Sequence, residues 1–469
     1  MRSRVPKLLH PILGRPMVAY VIDAAREATG ARPLVVHSPA TAALTEVFAG
    51  EVDFALQDEP RGTGDAVRAA LDALPALRPG ATELLVLNGD VPRLSAELLA
   101  ALVAERRAEA APVALVTVVA DDPGRLGRVV RDEAGRVTGI VEAKDASEDE
   151  LAIDEVNAGL YAFEVDWLRR RLPDVRPSPA TGELYLTELV RLAGADGRPV
   201  TSLVVEDDGR LLGINDRLQL AETEGEMRAE LITAHLLAGV SMEDPSTVYL
   251  DATVELATDV TLEPGVVLRG ATRIGEGTTV GAGSRIVDTV VGRDCTVVAS
   301  VLERSTVGDR VTIGPFAHLR PGCVVEDDVE IGNYAELKNT RLGRGVKAHH
   351  VGYLGDADLG AGTNVGAGTI TANYDGRSKH RTAVGEGSFL GVDTMLVAPV
   401  TLGPGAKTGA GAVVLRDVPA GRTAVGVPAR LLEERSTDAP DGPGDDRGPA
   451  GDPPRRGRHG RRGGSQGTG

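Results

Sequence analysis

The sequence predicts two architectures in tandem: an α/β domain on a largely parallel sheet, then a solenoid of short, stacked parallel strands. Two observations carry that reading. Up to about residue 216, Val/Leu-rich runs alternate with helical stretches, the pattern of buried strands separated by helices. Beyond Val248 the period changes. Val307, Ile313, Leu319, Val325, Ile331 and Leu337 recur every sixth residue, and so do Val384, Leu390, Leu396, Leu402, Thr408 and Val414. A helix cannot use that period. One short strand and one tight turn per unit, stacked on its neighbours, can, and each aliphatic then joins a ladder spaced ~4.8 Å along the stack.

Taken in order, the runs at 33–38, 83–90, 112–119 and 201–207 read as strands, and 64–74 and 96–109 as helices. The first domain is expected over 1–216. Residues 217–246 read as a linker helix, with Leu220, Met227, Leu231 and Ala234 at near-helical spacing. The repeat domain is expected over 247–432. Residues 433–469 are rich in Pro, Gly and charge, with almost nothing to bury, and read as a disordered tail.

Bulk properties exclude several classes. The 469 residues carry a net charge of −17, which is no footprint for nucleic acid. The 2 cysteines cannot make a secreted disulfide framework. No apolar run reaches the ~18 residues of a membrane span, and no signal peptide is recognisable. A cytoplasmic protein is expected, without membrane or nucleic-acid partners.

Candidate chemistry in the repeats lies where the period breaks. Between Leu337 and Leu359 two steps shorten to five, within "AELKNTRLGRGVKAHHVGYLGD"; between Thr371 and Val384 one extra residue is counted, within "TANYDGRSKHRTAV". Loops forced out of a coil there would reach a neighbouring subunit. His349 and His350 are candidate bases for an amine nucleophile. Arg320, Lys338 and Lys379 suit a phosphate, and a backbone N–H at Asn373-Tyr374 suits an oxyanion. In the first domain, Gly62-Thr63-Gly64 opens a helix where N–H groups favour an anion. Asp90, at a strand end, suits Mg²⁺, and Glu142, Asn157 and Asn215 stand in neighbouring motifs.

The order of the motifs carries a resemblance. "PKLLHPILGRPM", "GTGDA", "GDVP", "GRVTGIVEAKDA", "EVNAGLYAF", "NDRLQLA", "IGPFAHLRPG", "IGNYAELK", "VGYLGDADLGAGTNVGAGTITANYDG" and "LVAPVTLG" together resemble the bifunctional N-acetylglucosamine-1-phosphate uridylyltransferase/glucosamine-1-phosphate N-acetyltransferase family over 1–430. The resemblance implies a left-handed parallel β-helix of hexapeptide repeats, a homotrimer, and a role in supplying UDP-N-acetylglucosamine for cell-wall synthesis. It implies acetylation of glucosamine 1-phosphate by acetyl-CoA, then uridylyl transfer from UTP with Mg²⁺. Carried over by position, Lys7 would meet the nucleotide phosphates. Gln57, Gly62 and Thr63 would hold the uracil, with Asn88 and Gly89 beside them. Asp90 and Asn215 would hold Mg²⁺, and Gly127, Glu142 and Asn157 would line the sugar.

In the repeats, His350 would be the general base. Arg320, Lys338, Tyr353, Asn364 and Lys379 would surround the sugar phosphate, while Ala367, Asn373, Tyr374, Val392 and Ala410 would face acetyl-CoA. Three positions depart from the family pattern: Asn88, where Tyr is frequent, Ala158, where a small hydroxyl is, and Val392, where Ser is. Against the family, Met1-Arg2-Ser3 matches the tail of a Gly-rich nucleotide loop whose start is not in this sequence. Two alternatives therefore stand at this point: an acetyltransferase whose front domain is inactive, and a non-catalytic regulatory relative.

Overall fold

The computed structural model describes residues 1–211 and 213–432; the tail expected at 433–469 lies outside the described residues. In the first domain a six-stranded sheet runs in the order Val200–Glu206, Val113–Val119, Glu155–Glu164, Arg128–Arg131, Val137–Val141, with Glu83–Val86 also paired to Glu155–Glu164. Leu34–His37 and Asp53–Leu56 make a separate parallel pair. The runs read at 83–90, 112–119 and 201–207 become strands pointing one way. Val200–Glu206 is parallel to Val113–Val119, and both that strand and Glu83–Val86 are antiparallel to Glu155–Glu164. That last strand and the hairpin Arg128–Arg131/Val137–Val141 make the sheet mixed.

Side-chain alternation explains the unbroken apolar run. Val113 and Leu115 enter one core with Tyr161, Phe163 and Trp167; Ala114, Val116 and Val118 enter another with Leu99, Leu102 and Leu160. A strand covered on both faces has no polar side to show. Leu102 and Leu115 are fully buried, each stabilising the fold by about 1.5–3 kcal/mol relative to exposure.

The linker forms a helix over Arg217–Leu237, capped by Asp216, whose carboxylate accepts from the N–H groups of Leu218 (2.9 Å) and Gln219 (3.0 Å). Leu231 touches the cores of both domains, and Arg93 of the first domain pairs with Glu226 and Glu230 of the helix. A second joint lies at the Leu13-Gly14 turn. The Ala252 N–H donates to the Leu13 carbonyl at 2.9 Å. Gly14 has φ +78°, and a Cβ there would fall 2.4 Å from the Asp251 carboxyl carbon, so both conformation and space demand glycine.

In the repeat domain the chain visits three sheets in rotation, of 12, 10 and 9 strands, parallel except for the last pair. They are called here the first, second and third faces. Thr261 pairs with Thr279, eighteen residues on, so three hexapeptides make one coil, as in a left-handed parallel β-helix. Leu262, Val280, Val297 and Ile313 form one interior ladder, each fully buried.

The period breaks are of two kinds, and both correct the sequence reading. No loop is extruded between Leu337 and Leu359: Leu342, Ala348, Leu354 and Leu359 all stay in the ladder, at most 3% exposed. Each five-residue step is a shortened corner with a left-handed residue at its apex. Asn339 (φ 47°) and Asp356 (φ 50°) do this here, as Asp288 (φ 47°) and Arg304 (φ 42°) do on earlier coils. Asn and Asp tolerate that conformation best among residues with a Cβ. Between Thr371 and Val384, by contrast, the excursion is far larger than one residue. Leu359 pairs with Val384, twenty-five residues on and seven more than a full coil. Arg377, six residues beyond Thr371, is exposed, because a guanidinium gains nothing inside an aliphatic coil. Residues 373–381 fold instead into a small hairpin closed by a Tyr374–Lys379 bridge and a His380 N–H to Asn373 carbonyl bond of 2.8 Å.

Candidate active sites

In the first domain three expected residues converge. The Lys7 ammonium lies 2.5 Å from Asp90 Oδ2 and 2.8 Å from Asn215 Oδ1. Lys7 comes from the short 3₁₀ turn Lys7–Leu9, Asp90 from just beyond the strand Glu83–Val86, and Asn215 from the approach to the linker helix. Gly213 leaves room for the carboxylate: a Cβ there would stand 3.1 Å from it. Two protein oxygens thus point at one cation.

A second group gathers around the bulge in Glu155–Glu164. Asn157 Nδ2 donates to the Tyr161 hydroxyl (2.6 Å) and Asn157 Oδ1 accepts from the Gly159 N–H (3.1 Å). The Asn157 N–H donates to the Gly127 carbonyl at 2.9 Å. Glu142 accepts from the Thr187 hydroxyl at 3.1 Å, and burial pushes its carboxyl above the usual range. Asn88 is exposed, its amide packed against Gly159, whose positive φ (+74°) and lack of Cβ admit it. Gly89 packs against Leu8 and Val18.

A third group is the turn before the Thr63–Leu77 helix. Gln57 Nε2 donates to the Gly62 carbonyl and to Asp65 Oδ2, both at 3.1 Å. Gly62 has φ +110°, and a Cβ there would lie 2.6 Å from the Leu184 carbonyl oxygen. One correction arises here. The Gly64 N–H, expected to favour an anion, donates to that Leu184 oxygen at 2.7 Å, and Thr63 Oγ1 accepts from the Leu186 N–H at 2.9 Å. The turn is propped by the chain around Leu184.

In the β-helix the expected residues divide between the two edges of the second face. At its far edge, Arg320 and Lys338 stand on consecutive coils, the Arg320 N–H donating to the Leu337 carbonyl at 2.8 Å. On the next coil the same column holds Gly355, paired with Lys338. A Cβ at Gly355 would lie 2.4 Å from the Tyr353 hydroxyl and 2.7 Å from Asn373 Nδ2, so the missing side chain makes a niche for both. Lys379 reaches Lys338 from the hairpin, and hydrogen bonding and like charge from Lys338 push its ammonium pKa down. Arg320 is paired with Glu336 at 2.9 Å.

His350, Ala367, Val392 and Ala410 occupy turns at the near edge, between first and second faces, coil after coil. Asn364 lies on the first face, paired with Lys347 and Phe389. Tyr374 is exposed on the hairpin. A four-residue strand spans at most about 14 Å, and it separates the histidine from the cations within one chain. Among the described residues no group of three His, Cys, Asp or Glu is placed to hold a metal, and no helix is long and apolar enough to cross a membrane.

Sequence reading passed over four residues that hold the sites together: Asp65, Tyr161, Thr187 and Asp356. Asp65, Tyr161 and Asp356 lie inside quoted motifs and Thr187 outside them, and only hydrogen bonds distinguish them from their neighbours.

Comparison with known proteins follows the same division. The MobA-like NTP transferase domain family matches residues 1–148, and the bacterial transferase hexapeptide (six repeats) family matches 304–339. The bifunctional protein GlmU of Kineococcus radiotolerans is 45% identical over 92% of this chain and 88% of its own. That of Trichlorobacter lovleyi is 44% identical over 89% and 91%, and that of Mycobacterium tuberculosis 42% over 92% and 89%.

Proposed function

The chain belongs to the bifunctional GlmU family, and on that premise we propose that its two halves run consecutive steps of UDP-N-acetylglucosamine synthesis at the two sites described. The enzyme is an acetyltransferase and a uridylyltransferase. Readings in which only one half works, or neither, are not favoured, since relatives bearing the bifunctional name match nine-tenths of the chain.

For acetyl transfer, His350 takes the proton from the glucosamine 1-phosphate amine as its nitrogen attacks the thioester carbonyl, and coenzyme A leaves as the thiol. Arg320, Lys338 and Lys379 hold the phosphate, with Tyr353 and Asn364 on the sugar. Ala367, Asn373, Tyr374, Val392 and Ala410 face acetyl-CoA, and a backbone N–H at Asn373-Tyr374 meets the developing oxyanion. For uridylyl transfer, a phosphate oxygen of N-acetylglucosamine 1-phosphate attacks the α-phosphorus of UTP and pyrophosphate leaves. Lys7 neutralises phosphate charge. Gln57, Gly62, Thr63, Asn88 and Gly89 form the base side of the pocket, and Gly127, Glu142 and Asn157 the sugar side.

The donor set at Asp90 and Asn215 fits Mg²⁺, which takes one or two protein oxygens and completes its shell with phosphates and water; both oxygens already converge on a cation, Lys7. Bound there, Mg²⁺ would spread the charge on the phosphates. The chemistry of both co-substrates supports residence in the cytoplasm, where acetyl-CoA and UTP are made and used.

A homotrimer is supported by the near edge of the second face. Phe316 and Tyr334 are 56% and 59% exposed yet stacked at 5.3 Å, and Val351 and Val392 continue the apolar ridge on later coils. A neighbouring subunit on that ridge would bring a far-edge cation cluster to each His350. The observation that carries the reading is this splitting of one chemistry across a face. Its test is a pair of assays on the purified chain, thiol release from acetyl-CoA and pyrophosphate release from UTP. Failure of either with its sugar phosphate present rejects that half.

A further inference from the structure

We propose that Asp356 is the positioning residue of the acetyl-transfer site, a buried tether that fixes the 373–381 hairpin and thereby sets Lys379 beside Lys338. This rests on the reading of those two lysines as holders of the substrate phosphate.

The geometry is unusual for a turn aspartate. Asp356 is 7% exposed and left-handed, with φ 50°. Each carboxylate oxygen takes a side-chain amide: Asn339 Nδ2 donates to Oδ1 and Asn373 Nδ2 to Oδ2, both at 2.6 Å. Its backbone is engaged as well. The Asp356 N–H donates to the Lys338 carbonyl (2.9 Å), and its carbonyl accepts from the Thr382 N–H (3.1 Å). One residue therefore grips the corner of the preceding coil at Lys338-Asn339, the first residue of the hairpin at Asn373, and the strand that follows it at Thr382. With Asn373 fixed, the Tyr374–Lys379 bridge fixes Lys379 in turn.

The charge fits the same role. Two adjacent ammonium groups repel, and the hairpin would swing away without compensation. Asp356 supplies an opposite charge from beneath. Burial works against its ionised form, yet the two amides and the charges of Lys338 and Lys379 hold its carboxyl below the usual range. At 7% exposed, it acts through the lysines rather than on the substrate.

The test is a donor–acceptor swap in the full-length protein. Asp356→Asn keeps the shape but leaves one acceptor oxygen for two amide donors, so Asn339 and Asn373 can no longer both be held as they stand. It should raise KM for glucosamine 1-phosphate about tenfold and leave uridylyl transfer unchanged. Asn373→Asp alone should do similar damage by facing two carboxylates. The double variant, Asp356→Asn with Asn373→Asp, restores the hydrogen bond in the reverse sense and should recover most of the lost KM. A KM unmoved in Asp356→Asn, or a double variant no better than the singles, overturns the proposal. Lys379→Met separates the two failures. If it raises KM while Asp356→Asn does not, the tether is wrong; if neither moves KM, the phosphate reading falls and the tether with it.

Discussion

Three histidines lie in or near the proposed acetyl-transfer site, and the structure distinguishes them by what their ring nitrogens already do. His349 Nε2 is 2.6 Å from Glu330, a carboxylate also 3.2 Å from Lys347; hydrogen bonds from Lys347 and His349 hold Glu330 below its usual range. His380 Nε2 is 2.8 Å from Asp375. His350 is exposed and makes no hydrogen bond or ion pair among the described residues, its ring set edge-on to that of His349 with 6.2 Å between centroids. Only His350 has both nitrogens free for an incoming amine. His350→Ala should therefore lower kcat for acetyl transfer by about 10²–10⁴, the usual worth of a general base, or about 3–5 kcal/mol of barrier. An exposed side chain without partners contributes less than about 0.5 kcal/mol to folding, so the melting temperature and the oligomer should not change. His349→Ala gives up a surface ion pair worth about 0–1 kcal/mol and should keep most of its rate. The assay is thiol release from acetyl-CoA for the wild type and both variants side by side. A dead His349 variant beside an active His350 variant would refute the reasoning.

Asp90→Ala should abolish Mg²⁺-dependent pyrophosphate release and spare thiol release, because Asp90 lies in the other domain; loss of both activities would contradict two independent sites. Phe316→Glu puts a charge on the exposed Phe316–Tyr334 stack and should shift sedimentation from trimer to smaller species with loss of acetyl transfer; an unchanged trimer would place the interface elsewhere. Glu142→Gln should melt higher than the wild type at pH 8. The native carboxyl is raised by burial, so its contribution is present below the unfolded pKa of ~4.3 and lost as pH rises through the folded one. The two proteins should converge near pH 4, and a constant gap across pH would assign the effect to something other than ionisation.

Why some of this was readable from sequence and some was not follows from what each position must satisfy. A ladder residue faces only aliphatic neighbours above and below, so the requirement repeats every six residues. Even the exceptions obey it. Thr371 and Thr408 enter the coil because Thr371 Oγ1 donates to the Gly355 carbonyl (2.9 Å) and Thr408 Oγ1 accepts from the Gly391 N–H (2.9 Å), which removes the cost of burying a hydroxyl. Counting by sixes failed at the hairpin because a count cannot tell one extra residue from seven when no interior residue marks the path. The first-domain strand Glu155–Glu164 was seen as a motif but not as a strand, since Asn157 and Gly159 interrupt its apolar run. Those residues sit at the bulge, where the strand re-aims its side chains and the proposed sugar side is built. The same feature hid the strand and drew attention to the motif. Asp356 hid differently: "GDADLG" reads as an ordinary turn, and its two amide partners stand seventeen residues before and after it, one coil away on each side. In a solenoid that is nearest-neighbour distance. Site-bearing contacts between coils recur at the coil length of about eighteen residues, so polar pairs near that spacing are where this architecture should be searched for chemistry that six-residue periodicity does not reveal.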